Sequence, residues 1–357
     1  MRDINIKIIS REEVGKGPWD KFVDSSDGAW LWHRFDLLKG LASWPGRQDL
    51  SFALLDEKSG GNILEIIPLQ LIRRKVGYLL SFQVLDSLGG PAFLDSLSEK
   101  DREITTGYLR AHLVGLAQQY KAMEIRITSS PLAPAFRGSN GFQANPLIKL
   151  NCQAYQGQTR VIDLRIDEDL LWRQMEGRAR TAIRKAEKSG VKIRAARGAE
   201  DLDSYYKLHC ATYRRTGVRP HPRDYFEIIW RYFEEDGLAL ILFAEYENRV
   251  VAAANFGIYK KAAIYWTGAS IDAGLSLGAN SLLQWQAMRQ LKKQGLEWFE
   301  AGETFAGLRQ AKKRRLSDFK KSFGGSLYPY YKGKIATKGG IYQWLLVFRR
   351  ILNGYKS

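Results

Sequence analysis

Residues 238–269 read LALILFAEYENRVVAAANFGIYKKAAIYWTGA. Three short, largely apolar runs stand out, 238–246, 250–259 and 262–269, with Glu247-Asn248 turning the chain between the first two. Runs of this length bounded by turn residues predict buried strands. Before them, 223–235 has helical periodicity. After them, 279–293 predicts a helix and 298–301 a strand. The order is therefore helix, three strands, helix, strand, which is an α/β unit.

The same order occurs upstream. Residues 29–41 predict a helix, and 50–55, 63–73 and 78–85 predict strands, with Lys58-Ser59-Gly60-Gly61-Asn62 as a turn. Gly89-Gly90-Pro91 breaks the chain. Residues 101–120 predict an amphipathic helix, 123–128 a strand, and 131–146 is loop-rich. The two copies share order, not residues. In front of the second copy lie a strand (159–165), a helix (167–189), a strand (191–195) and a helix (201–212). A chain of 357 residues has room for two domains.

This order resembles the acyltransferase unit of the GNAT superfamily, in which a mixed sheet splays apart midway and takes the acyl donor in the gap. The expected fold class is thus α/β (α+β), two tandem GNAT-like acyltransferase units with mixed sheets.

The composition, 45% hydrophobic and 26% charged, supplies a sizeable core and excludes a disordered chain. Its net charge of +17 is unevenly spread. Segments 173–197, 309–321 and 332–356 together hold more than the whole excess, and the remainder is near neutral. Three basic strips on a neutral body point to a bounded anionic partner such as phosphate, nucleic acid or membrane headgroups. No apolar run approaches the roughly 20 residues of a membrane span, and no signal-peptide h-region is visible at the start. Cys152 and Cys210 are the only cysteines, which excludes a disulfide framework and fits a reducing cytoplasm.

Along the first strip, Trp172, Met175, Ala179, Ile183 and Ala186 recur at helical spacing on one face, with Arg173, Arg180, Arg184 and Lys188 on another. Arg binds phosphate bidentately through its planar fork. The alternative is a solvated helix face. In the second strip, Phe319 and Phe323 are four apart, Gly324-Gly325 ends the helix, and Lys320 is held between the aromatics.

Phe319-Lys320-x-x-Phe323-Gly324-Gly325 is similar to the closing motif of the FemABX family, bacterial transferases that add amino acids to peptidoglycan precursors. Further pieces agree: Arg180-x-x-Ile183-Arg184-Lys185-Ala186-Glu187-Lys188-x-Gly190-Val191, Thr212-x-Arg214-Arg215-x-Gly217-Val218, Leu283-x-Trp285 and Gly89-Gly90-Pro91. The resemblance covers about residues 30–330 and implies two tandem GNAT units. The first would be completed by the chain's end, giving residues 1–155 plus 327–357, and the second would span 156–326. It implies that Phe319 and Lys320 are the catalytic pair, with Lys320 stabilising the negative charge that develops as the acyl bond is attacked. It further implies that Arg180 and Arg184 touch precursor phosphates. The donor would be aminoacyl-tRNA or acyl-CoA, with no tightly bound cofactor.

One departure bears on the donor. Coenzyme A-dependent GNAT enzymes carry a Gln/Arg-x-x-Gly-x-Gly/Ala loop before a helix, whose backbone N–H groups hold pyrophosphate. The equivalent stretch here, Leu275-Ser276-Leu277-Gly278-Ala279-Asn280, keeps one glycine. Gly278 and Ala279 remain candidates for an anion at the helix start, against a plain helix entry turn, and the degraded loop favours aminoacyl-tRNA or another donor.

Glu303, after the last strand of the second unit, is the candidate base or amine-orienting group, with Glu300 beside it. Tyr265 and Trp266 lie on the strand next to the splay and are candidate substrate contacts; core packing is the competing reading. His33, His112, His209 and His221 show no metal spacing, and no metal is expected. Neither cysteine sits in a nucleophile motif, and no Gly-x-Ser-x-Gly elbow is present. Residues 340–352, apolar with basic flanks, are candidates for membrane contact through Trp344 and Phe348, against a core helix on the first unit.

The resulting expectation is a FemAB-like transferase that moves an aminoacyl or acyl group onto an amine of a phosphate-bearing, peptidoglycan-type envelope precursor. It would be cytoplasmic, peripheral at the inner membrane face, with tRNA as a partner and no DNA. Two alternatives stay open: an acyl-CoA-dependent N-acyltransferase of exopolysaccharide biosynthesis, and a non-enzymatic RNA- or membrane-binding protein on a GNAT pair.

Overall fold

The computed structural model describes residues 4–76, 80–137, 145–305 and 311–337. The proposed membrane-facing segment 340–352 lies outside the described residues. The chain divides into two compact units, Met1–Gln156 with Tyr331–Ser357, and Gly157–Tyr330. Each is described by itself.

The first unit runs β1 (Ile6–Ser10), α1 (Arg11–Val14), α2 (Lys16–Ser25), α3 (Phe35–Ala42), β2 (Arg47–Asp49), β3 (Phe52–Asp56), β4 (Asn62–Ile67), β5 (Gln70–Val76), β6 (Leu80–Gly89), β7 (Ala92–Phe93), α4 (Glu99–Gln119) and β8 (Ala122–Ser129). An antiparallel sheet of order β1-β3-β4-β7 stands apart from the run β8-β6-β5-β2. The expected single strand 63–73 is therefore two strands in two sheets. Pro68 is the cause: it has no N–H to give to a ladder, so pairing stops at Ile67 and resumes in the other sheet at Gln70. The expected helix 29–41 is likewise divided. Leu31–His33 is a tight 3₁₀ turn, and α3 starts after Arg34. The His33 ring explains both this turn and the Gly89-Gly90-Pro91 sequence. Its Nε2 donates to Gly90 O at 3.0 Å, and a Cβ at Gly89, where φ is +116°, would fall 2.6 Å from the ring. β6 and β8 are parallel, joined over α4, and stay paired from Gln83 with Ala122 through Gly89 with Ser129.

The second unit continues from β9 (Gln153–Asp163) through α5 (Glu168–Gln174), α6 (Gly177–Lys188), β10 (Lys192–Ala195), α7 (Ala199–Thr216), α8 (Arg223–Arg231), β11 (Ala239–Tyr246), β12 (Arg249–Tyr259), β13 (Ala262–Ser270), α9 (Asp272–Leu277), α10 (Ala279–Lys293), β14 (Trp298–Thr304) and α11 (Ala311–Lys321) into β15 (Ser326–Ala336). Its sheet order is β10-β11-β12-β13-β14-β9, parallel only between β13 and β14. β15 runs on into the first unit, where Lys332–Ala336 pairs antiparallel with β8. The expected long helix 167–189 is broken at Met175 and Glu176, both extended. The Arg180 guanidinium closes the break by donating to Arg173 O (3.0 Å) and Met175 O (2.9 Å). The predicted apolar stripe holds: Met175, Ala179, Ile183 and Ala186 are buried in one core with Leu282, Leu283, Trp285 and Phe299. Burying each large aliphatic side chain there contributes about 1.5–3 kcal/mol.

Candidate active site

β13 and β14 pair only over Ala262–Ile264 with Trp298–Glu300. Beyond Glu300 they part, while β14 stays paired with β9 as far as Thr304. Two irregularities sit at this point. Ala301 is an extra residue on β14 opposite β9, and Trp266 is an extra residue on β13 opposite β12. Bulges of this kind twist the strands and re-aim side chains. Two parallel strands that no longer pair with each other leave a slot between them. The first unit has no such gap along β6 and β8, which remain paired.

Lys320 reaches this slot from the last turn of α11. The helix is fixed by Phe319 and Phe323, whose rings meet edge to face at 5.0 Å, with Phe323 buried in the core. Gly324 and Gly325, both at positive φ, lie against the backbones of Gln174 and Val161, where a Cβ would collide. The ammonium of Lys320 donates to Glu303 O at 2.7 Å. It lies over Gly302, where φ is +102° and a Cβ would fall 2.8 Å from Nζ. Gly302 thus lets the cation rest on the strand. Burial lowers the Lys320 pKa, and Glu300 and Glu303 oppose that.

Glu300 is the buried carboxyl of the site, 3% exposed. Its Oε1 accepts from Thr159 Oγ1 at 2.6 Å across from β9. Burial pushes it up to about 7, with Thr159 and the Lys320 ammonium pulling the other way. Glu303 is half-buried one turn of strand further on. Of this group, sequence reasoning favoured Glu303, named Glu300 beside it without a role, and passed over Thr159 and Gly302. The available signal was a glycine flanked by two glutamates directly after a strand.

Tyr265 and Trp266 flank the parting of the strands on the β13 side. Tyr265 packs on Phe256 and on the core, its hydroxyl lies over Gly268, and burial raises its pKa. Trp266 Nε1 donates to Tyr225 Oη at 2.6 Å. Below it, Thr267 Oγ1 bonds both Tyr205 Oη (2.6 Å) and Asn255 Nδ2 (2.7 Å). His209 is fully buried in the neighbouring aromatic cluster, accepts from His221 N at 3.1 Å, and burial lowers it to about 3, so it is neutral.

Gly278 and Ala279 begin α10. Gly278 sits against α6, where a Cβ would fall 2.5 Å from Ala182 O, and Ala279 is buried. Packing therefore accounts for the glycine. Arg180 is engaged with the end of α5, as above, and Arg184 is exposed with its guanidinium 5.4 Å from the Trp172 ring centre. The structure brings Lys320, Phe319, Glu303 and Glu300 together on β14 and α11, with Tyr265 and Trp266 across the slot. It places the two arginines on α6. Among the described residues, no group of three or more His, Cys, Asp or Glu is arranged to hold a metal.

A parallel strand pair joined over a helix and splayed beyond its first residues defines the second unit as an acyltransferase domain of GNAT type, and the family model for the acetyltransferase (GNAT) domain matches residues 173–313. With a second α/β unit closed by β15, the chain has a two-unit fold shared with solved tandem GNAT structures. Its structure is similar to that of FemX at a TM-score of 0.62 and 16% identity, covering 96% of this chain and 99% of that one. It is also similar to the C-terminal domain of a putative lysylphosphatidylglycerol synthetase from Agrobacterium fabrum (TM-score 0.56, 15% identity, 94% and 95% covered). A tandem GNAT protein of the clavulanic acid biosynthesis pathway shares the fold too (TM-score 0.54, 11% identity, 94% and 99% covered). No curated protein matches by sequence.

Proposed function

We propose that the protein transfers an aminoacyl or acyl group onto the amine of a phosphate-bearing envelope precursor, with the reaction at the splay of the second unit. The observation that carries this is the half-buried Lys320 ammonium, seated over Gly302 beside the parted strands. In the reaction, the amine nitrogen attacks the acyl carbonyl carbon and forms the C–N bond. The electron pair moves to the carbonyl oxygen, which Lys320 stabilises. The C–O or C–S bond to the donor then breaks and the leaving group departs with the pair. Glu303 orients the amine and accepts its proton; Phe319 holds Lys320 at its angle. Tyr265 and Trp266 contact the substrate, and the exposed Arg184, with Arg180 behind it, attracts the precursor's phosphates. Gly278 and Ala279 offer backbone N–H groups at the start of α10 to an anionic part of the donor.

Lys320→Ala is expected to fold with an unchanged melting temperature and to lose about 10²–10³-fold in rate, as removal of a single oxyanion-stabilising group does. Wild-type turnover by the variant in a reconstituted amine-acylation assay would sink the assignment. The donor is read as aminoacyl-tRNA because the coenzyme A loop is degraded. Tight binding of acetyl-CoA in a calorimeter would reverse that choice in favour of an acyl-CoA-dependent N-acyltransferase, the activity that the fold shared with tandem GNAT proteins also supports.

A further inference from the structure

α9 is built inside out. Its glycines face the protein: a Cβ at Gly274 would collide with Val251 O, and one at Gly278, directly after the helix, would strike Ala182 O. Leu277 packs against the core, but Leu275 and Ile271, the residue that opens the helix, face solvent, 46% and 40% exposed. These two are four apart, and Leu275 N bonds Ile271 O at 3.1 Å, so they project from one side of a ledge whose other side is pinned to β12 and α6. A helix with no role beyond packing would place Ile and Leu inward and small residues outward.

The ledge has a neighbour of the same character. Arg215 at the end of α7 donates to Ser270 O at 2.9 Å and lies 3.5 Å from Asp272, which ties the α7 turn to the start of α9. Val218 in that turn is 46% exposed. Exposed Arg214 and Arg219 flank it, and the two turns, residues 214–219 and 270–277, carry three arginines and a single acid, Asp272. Together these form an aliphatic knuckle with a basic collar. The knuckle rims the wide end of the slot, because β13 runs from its paired residues, Ala262–Ile264, toward Ser270 and α9.

We propose that this knuckle is a membrane-docking surface, with Ile271, Leu275 and Val218 entering the headgroup boundary of an anionic leaflet and Arg214, Arg215 and Arg219 meeting its phosphates. The charge is complementary to anionic lipid, and protruding aliphatic side chains ringed by arginine suit a bilayer interface. RNA is the poorer fit, since single strands are held by stacking on aromatic rings and the knuckle presents aliphatic ones. The surface uses none of the side chains assigned to the Lys320 chemistry.

The test is co-sedimentation of the full chain with phosphatidylcholine vesicles that contain or lack phosphatidylglycerol. Wild type is expected to bind the anionic vesicles, and the charge-neutral double substitution I271S/L275S to weaken that binding about tenfold or more. Because both side chains are exposed, the melting temperature should not move. Equal binding by wild type and the double variant would overturn the proposal, as it would reduce the interaction to general electrostatic attraction. A second readout is L275W, whose emission should shift to the blue on anionic vesicles; an unshifted spectrum with protein bound overturns the proposal too. Tighter binding to polyuridylate than to vesicles, unchanged in I271S/L275S, would reassign the basic collar to RNA. Vesicle binding is read without turnover, so its failure is distinct from failure of the transfer reaction.

Discussion

Lys320 is a desolvated cation, and a buried acid two residues before the glycine it rests on opposes the loss of its charge. Glu300, lifted from the usual 4.5 to about 7 by burial, is neutral in both folded and unfolded chains at low pH. Between pH 4.5 and 7 the folded protein holds a proton that the unfolded chain has released, so stability falls as pH rises through that window and levels off above it. Glu300→Gln keeps an acceptor for Thr159 and removes the titration. Urea unfolding at pH 5 and pH 8 should show the variant gaining on wild type at the higher pH, by up to about 3 kcal/mol for a shift of this size. An equal gap at both pH values would mean that Glu300 is ionised throughout. The loss of a counter-charge should also move the alkaline limb of the rate profile to lower pH, as Lys320 deprotonates more readily. Lys320 and Phe319 were legible because a lysine between spaced aromatics and a double glycine is a local pattern. Glu300 was not, because its burial depends on β9 supplying Thr159 from far along the chain.

Secondary structure was legible where the determinant is local. α10 spans Ala279–Lys293, as its periodicity and the preceding glycine predicted. The strands from 238 to 269 also fall where their turn residues placed them, within a residue. The break between α5 and α6 was illegible for a physical reason. The apolar spacing from Trp172 to Ala186 runs through Met175 and Glu176 without interruption, and the chain bends because Glu176 N bonds Ser322 O and Arg180 reaches back to the end of α5. This gives Arg180 a structural load that Arg184 lacks. Arg180→Ala should cost about 1–3 kcal/mol in urea unfolding, and Arg184→Ala within about 0.5 kcal/mol. Equal effects would show that the carbonyl contacts of Arg180 contribute little. Pro68 was readable in principle, since a proline inside a predicted strand argues against a continuous one.

The two units have the same parallel pair over a helix, yet only the second opens. The chain should therefore bind one donor, not two. Calorimetric titration with acetyl-CoA and with a non-hydrolysable aminoacyl-tRNA mimic should give a stoichiometry of one for whichever binds; a value of two would place a second slot in the first unit. The first unit holds instead a cavity of about 190 Å³ beside Phe93, Thr106, Ser129 and Phe136, near the ends of β6 and β8. The net charge does not follow that division, since the third basic strip, residues 332–356, belongs to the first unit and leaves the two units nearly equal. The strip on α6 and the strip on α11 belong to the second unit, and the body around them is near neutral. Duplication of order without duplication of residues was visible in the sequence. Which copy opens was not, because that depends on the two bulges at Trp266 and Ala301.

The pairing of β8 with β15 joins Thr128 to Lys332, about two hundred residues later. During synthesis β8 leaves the ribosome early, and one of its edges stays bare until the whole second unit has been made. Every strand of that unit from β9 to β14 is in hand before β15 is translated, so the second unit matures first and the first unit is sealed last. Released chains truncated after residue 330 should accordingly carry a protease-resistant second unit beside a first unit with an open edge that is prone to misassembly.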